Sequence, residues 1–370
     1  MRLALALGSL LLALALVPRW VCGRHADEVF DGELGAQVAL ADGVVAATAR
    51  RTGNQYYRTG TLRFDGQSAV AIDQMAIMGL SQIIQLHPEL REKYLKTLRA
   101  LATNLADPRT LAYAGRVYGH HGAVFMGKGE GHAYLGYINL GLGMLRAVDP
   151  ETPLARLHDR LSEALATRLF QSPTGLIETY PGETWPPDVA AVAGSIGLHS
   201  RVAHVDRSAE LAKWSKRFAA CAIGKDGYLI QRVQSGSCVP VDAPRGSGTA
   251  VAAYFLSFAD RELALGLHRA LAGPGERTLL GFAAIREYAA GFSGRGDTNA
   301  GPILLGVSVG ATGFALGSAA AHRDRELFRE LYRTLALFGV PVQHDGQSTF
   351  AVGGVLGNAL LLAMLTARPT

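Results

Sequence analysis

The sequence predicts an all-α protein: an (α/α)6 toroid of six helical hairpins with short β-hairpins at one rim. Three observations carry this. One arrangement recurs along the chain: a polar or Gly/Pro-rich loop, an uncharged Gly/Ala-rich helix, a short break, then a charged amphipathic helix. The apolar members begin 48 to 64 residues apart. Glycine is in excess, 44 of 370 residues or about 12% against a usual ~7%, and it is spread through apolar segments rather than gathered in a linker.

The N-terminus comes first. Residues 1–23 read as a signal peptide or an N-terminal anchor, because Arg2 precedes an uncharged run from Leu3 to Pro18 that is short for a membrane span. Val21-Cys22-Gly23 offers a cleavage site, while Arg19-Trp20-Val21 is a poor lipobox for Cys22. Cleavage after Gly23 removes Arg2 and Arg19 and no acid, taking the net charge from +5 to +3. A periplasmic or secreted protein is expected; the alternative is inner-membrane anchoring through residues 3–18. Residues 24–65 form a lead-in, and 66–370 the toroid domain. Length alone suggests two or three domains of ~150 residues, but the repeat makes this one.

The apolar helices are expected near 67–86, 131–147, 188–199, 247–259, 299–321 and 347–366. Lacking a polar stripe, they should be buried all round. Thr298–Ala321 and Ser348–Ala367 are long enough to span a bilayer, but Asp73 interrupts the first apolar helix, the others are too short, and no Lys/Arg asymmetry flanks them. The charged helices are His87–Leu105, Pro153–Phe170, Arg207–Ala222, Asp260–Leu271 and Arg323–Phe338. In the first of these, Leu90, Tyr94, Leu95 and Leu98 share one face at helical spacing. Strand-like stretches follow several of them, at Thr110–Tyr118, Gly175–Tyr180, Gly227–Gln234 and Phe282–Tyr288. Each leads to a polar loop before the next apolar helix, so these loops should gather at one mouth, where a rigid scaffold presents functional side chains.

Read in order, the mouth receives Tyr56, Tyr57, Asp65 and Gln67, then His120, His121, Glu130 and His132. Glu178, Tyr180, Glu183, Trp185 and Asp188 come third, and Asp242, Arg245 and Ser247 fourth. Arg286, Glu287, Arg295, Asp297 and Asn299 precede the fifth helix, and His344, Asp345 and Gln347 the sixth. The loop 178–188 (ETYPGETWPPD) carries most chemistry: three prolines stiffen it, and Trp185 offers a flat surface. Glu183 and Asp188 read as an acid/base pair if one is desolvated, while Asp188 equally suits an N-cap. Asp297 and Asp345 carry the same ambiguity. His132 suits proton transfer near neutral pH or a hydrogen-bonded core position. Arg245 suits a substrate carboxylate or hydroxyl, or pairing with Glu183, Glu287 or Asp297.

Composition excludes several classes. With 49% apolar and 18% charged residues the chain is not disordered. A net charge of +5 without a Lys/Arg cluster argues against a nucleic-acid partner. Cys221 and Cys238 suit either a disulfide, worth roughly 3 kcal/mol for a loop of this length, or two unrelated thiols. No Cys/His set has zinc spacing, so neither a metal nor a cofactor is expected.

The layout over about residues 66–366 resembles the linalool dehydratase-isomerase family, exported (α/α)6 bacterial proteins. Gly131-His132 before an apolar helix is similar to the family's Gly-His element, which implies a catalytic role for His132. Segment 175–183 (GLIETYPGE) resembles the strand-to-loop stretch that carries the family's catalytic cysteines. Tyr228 matches a strand position bearing an aromatic hydroxyl there, and Arg286-Glu287 with the loop to Asp297 resembles the element before the fifth inner helix. Residues 175–190 contain no cysteine, so Glu183, Asp188 or Tyr180 must stand where the family's acid/base thiols do.

The expectation is an exported, cofactor-free enzyme of dehydratase, isomerase or lyase type acting on a hydroxylated, terpenoid-like small molecule. His132, Glu183, Asp188 and Asp297 are its catalytic candidates. Tyr56, Asp65, Tyr180, Trp185, Tyr228, Arg245 and Glu287 are its substrate-binding candidates. The alternatives are a glycoside hydrolase-like enzyme with paired carboxylates and a non-catalytic envelope binding protein. An apolar cavity would favour the first, a long polar groove the second, and a mouth filled by its own side chains the third.

Overall fold

The computed structural model describes residues 16–50, 66–107, 110 and 132–368. Among the described residues the protein is all-α apart from short two-stranded sheets, most of them hairpins. Residues 16–23 are helical, and α1 (Ala26–Asp31) and α2 (Leu34–Ala49) follow. Six buried helices come next in alternation with charged ones: α3 (Gln67–Leu86), α5 (His132–Val148), α7 (Pro186–Val202), α9 (Gly246–Leu256), α11 (Val309–Ala321) and α13 (Gly354–Leu365). Each packs on the one before and the one after it, and α13 packs on α3, so the series closes on itself.

The amphipathic helices cover this series. They are α4 (Arg91–Ala106), α6 (Ala155–Gln171), α8 (Ser208–Ala222), α10 (Arg261–Ala272) and α12 (Arg325–Gly339). Each lays its apolar face on one or two inner helices. Tyr94, Leu98, Leu101 and Leu105 do this for α4. Between α13 and α3 the outer position is taken by α2, from the lead-in segment. Asp42 of α2 accepts from Lys93 (2.7 Å) and Tyr94 (2.9 Å) of α4.

Close helix approach explains part of the glycine excess. A Cβ on Gly194 of α7 would stand 2.4 Å from the Phe255 carbonyl oxygen of α9. One on Gly79 of α3 would stand 2.5 Å from Leu362 of α13. Across the ring, Tyr254 of α9 donates to Gln82 of α3 at 2.8 Å. Gln82 in turn donates to the Ala363 carbonyl (2.9 Å) and Thr366 (3.0 Å). A buried polar link thus joins α3, α9 and α13.

Several boundaries differ from expectation. The fifth and sixth apolar helices start later, at Val309 and Gly354, because their uncharged leading segments fold as hairpins. These are β5 (Ile303–Leu304) with β6 (Val307–Ser308), and β7 (Pro341–His344) with β8 (Gln347–Phe350). A third hairpin pairs β3 (Glu276–Leu279) with β4 (Phe282–Ile285). Their turns, Leu280-Gly281, Leu305-Gly306 and Asp345-Gly346, all have positive φ at both central residues, the geometry that matches strand twist. Asp345 is thus a turn residue, not a helix cap. Gly175–Tyr180 is not a strand; the local pair is β1 (Glu183–Thr184) with β2 (Val233–Gln234). All but Thr110 of the expected strand Thr110–Tyr118 lies outside the described residues. Neither uncharged run forms a bilayer-length helix. Gln67–Leu86 alone among the described helices is long and apolar enough to cross a membrane, and it is largely buried in the fold.

Candidate functional site

The N-terminal turns of α3, α7 and α9 face a cavity of about 220 Å³, which faces of α5, α11 and α13 also line. That is somewhat below the ~300–1,000 Å³ of drug-sized sites. Its walls are mainly apolar: Val70, Met75, Val251, Phe255, Phe314, Leu356 and Leu360. The polar lining comprises Gln67, Gln74, Tyr137, Tyr180, Asp188, Gln231, Ser247, Asp297 and Asn299, with Trp185 at the same wall.

Asp188 is the central group. Trp185 is the N-cap of α7 and Pro186 and Pro187 form its first turn, so Asp188 lies inside the helix rather than capping it. The helix N-terminus favours its negative charge. The Tyr137 hydroxyl, one face of α5, donates to its Oδ1 at 2.6 Å. Burial and this carboxylate push the Tyr137 phenol far above its usual range, so it stays protonated. Tyr180 also lines the cavity, its ring edge-on to Tyr134 at 5.8 Å.

Asp297 reaches the cavity but is bound on both oxygens. Oδ1 accepts from the backbone amides of Asn299 (3.0 Å) and Ala300 (2.8 Å), and Oδ2 from Arg245 (2.8 Å). It orders its loop; α11 is capped by Ser308, whose hydroxyl accepts from Ala311. Arg245 also bonds Asp242 (3.1 Å), lies 4.0 Å from Glu287 and faces the Tyr288 ring. Glu287 is fully buried, accepts from the Ser247 amide and hydroxyl (3.2 and 2.8 Å), and is raised in pKa by burial. Arg245, Asp242 and Glu287 build a polar wall behind Ser247, and of this group Asp297 alone lines the cavity.

Glu183 and His132 do not line the cavity. Glu183 accepts from the Trp185 indole at 2.8 Å and lies 3.6 Å from Arg232, whose guanidinium covers the indole ring. The pair positions Trp185 at the rim. His132 is buried, its Nδ1 against the Glu178 carbonyl and its Nε2 without a partner, and burial lowers its pKa to about 4. Tyr228 is buried beneath the strands, 3.3 Å from the Arg286 carbonyl. His344 and Asp345 lie on an exposed turn. Tyr56, Asp65, Tyr57, His120, His121 and Glu130 lie outside the described residues.

Tyr137 and Gln231 escaped the sequence reading. Tyr137 sits inside an otherwise apolar Gly-rich helix, where it reads as packing; a hydroxyl in the second turn of such a helix is the signal that could have found it. Cys221 and Cys238 are joined as a disulfide, Cα atoms 5.0 Å apart. Among the described residues, one group of three potential metal-ligating side chains is close enough to share an ion, and it lies away from the cavity, at His158, Asp159 and His199. The chain matches no family model and no curated protein.

Proposed function

We propose that the closed series of hairpins is an (α/α)6 toroid akin to the linalool dehydratase-isomerase group, exported by its N-terminal segment. Its mouth performs acid/base chemistry on a small, hydroxylated, largely apolar molecule. The observation that carries this is the Asp188–Tyr137 pair set into an apolar cavity. Asp188 acts as the base, oriented by a phenol that remains a donor. In a dehydration, a C–H and a C–O bond break; Asp188 takes the proton from carbon and delivers it to the leaving hydroxyl, and water departs with the alkene left behind. The apolar walls exclude bulk water and raise the value of each charge-assisted contact. Trp185 and Phe255 supply flat surfaces for the hydrocarbon part.

A glycosidase reading draws support from two carboxylates, Asp188 and Asp297, on one cavity. The bonds from Arg245 and two amides to Asp297, and the apolar walls, favour the first reading. The deciding experiment incubates the protein with a panel of small allylic alcohols and, separately, oligosaccharides, following product by mass spectrometry. Alkene or isomer formation from an alcohol is expected. Asp188→Asn and Tyr137→Phe should each lower turnover by roughly 10²–10⁴-fold and ~10-fold respectively, with unchanged circular dichroism. Hydrolysis of a glycan, or full turnover by Asp188→Asn, would overturn the reading.

A further inference from the structure

The end of the bundle away from the mouth holds a second cluster. His158 is in the first turns of α6, Asp159 is next to it, and His199 is in the last turn of α7. Asp188 and His199 are eleven residues apart on α7, which puts the cluster roughly 16 Å from the cavity. His158 is completely buried, yet neither ring nitrogen has a partner. His199 is nearly buried; its Nε2 meets Asp159 Oδ1 at 2.9 Å and its Nδ1 has no partner. The two rings meet edge to face, centroids 4.9 Å apart. One ligand atom from each of the three residues lies within 4.8 Å of the other two.

A buried imidazole with both nitrogens unsatisfied needs a partner such as an ion or ordered water. A second histidine pair in the molecule is more nearly satisfied, His322 Nε2 being its one buried nitrogen without a partner. His268 stacks on His322, and its nitrogens meet Ser318 (3.0 Å) and Asp324 (3.1 Å). At His158 nothing plays those parts.

We propose that His158, Asp159 and His199 bind a divalent transition-metal ion of the zinc type, through two imidazoles and one carboxylate. Imidazole and carboxylate suit such ions, whose ligand atoms stand ~2.0–2.2 Å from the metal and so about 3.3 Å apart in a tetrahedral site. Side-chain movements of about 1.5 Å or less from the present spacing reach that arrangement. Asp159 is about half exposed and provides the entry path, leaving the fourth position to water. Arg146 bonds Asp159 Oδ1 and would orient the carboxylate from outside the ligand set. The adjacent guanidinium opposes a cation electrostatically, so moderate affinity is expected.

The test titrates untagged full-length protein, stripped of metal, with zinc by calorimetry, and with cobalt by visible absorption. Saturable one-to-one zinc binding with a Kd of about 10 μM or below, and an intense cobalt spectrum distinct from the aqueous ion, are expected. Asp159→Ala and His199→Asn should each weaken zinc binding at least about tenfold. No saturable zinc binding by the wild-type protein, only the aqueous cobalt spectrum, or equal binding by both folded variants overturns the proposal. Should His199→Asn fail to fold, the exposed Asp159→Ala and the wild-type cobalt spectrum still decide it.

Discussion

At the residue scale, the environment of each polar group decides what it can do. His132 is the clearest case for titration. Its pKa falls from 6.5 to about 4 because burial disfavours the imidazolium. Above pH 6.5 it is neutral folded and unfolded, and contributes no pH dependence. Between pH 6.5 and 4 the unfolded chain takes up the proton first, so stability falls as pH falls. The difference amounts to about 3 kcal/mol across that window. Urea unfolding at pH 7.5 and 5.0 should show a larger loss for the wild type than for His132→Asn, whose amide keeps a donor toward the Glu178 carbonyl. Equal losses would assign the acid sensitivity to other groups. The sequence made the loop 178–188 legible through its prolines and tryptophan, and four of its residues, Tyr180, Trp185, Pro187 and Asp188, reach the cavity. It could not distinguish Asp188 from Glu183, because the distinction rests on Tyr137 of α5 and on Arg232, just before β2, both far away in the chain.

At the scale of elements, hydrophobic patterning was the readable signal. The outer helices carry charged faces and apolar stripes, and α4, α6, α8, α10 and α12 stand near their expected positions. Helix α2 was hidden because it has one charged residue, Asp42, and no amphipathic contrast. The leading segments of the fifth and sixth apolar stretches were hidden for the related reason that uncharged residues suit a buried helix and a hairpin equally. Gly306, inside the run expected as the fifth apolar helix, therefore serves a turn rather than helix packing. The packing glycines give a sharp contrast in stability. Gly194→Ala drives a methyl into the Phe255 carbonyl and should destabilise by roughly 1–3 kcal/mol, despite the better helix propensity of alanine. Gly313 in α11 has no atom within 4 Å of a built Cβ, so Gly313→Ala should stabilise by up to about 1 kcal/mol. Urea midpoints of the two variants check both signs.

At the scale of the molecule, ring closure joins residues far apart in sequence. Gln82 links α3, α9 and α13 through Tyr254, Ala363 and Thr366. Gln82→Leu leaves the Tyr254 hydroxyl buried without its acceptor, and should cost about 1–3 kcal/mol by thermal or urea unfolding. A neutral result would show that water or another group takes the amide's place. The repeat made the alternation of buried and amphipathic helices foreseeable; the central polar link was not, since Gln82 is one glutamine among several in an apolar helix. The Cys221–Cys238 disulfide ties the last turn of α8 to the segment just beyond β2, the strand that pairs with Glu183 and Thr184 beside the cavity. Building that wall therefore includes an oxidation. Reduction of that bond removes the one covalent tie between α8 and the rim beside Trp185, so the tether belongs to an oxidising environment.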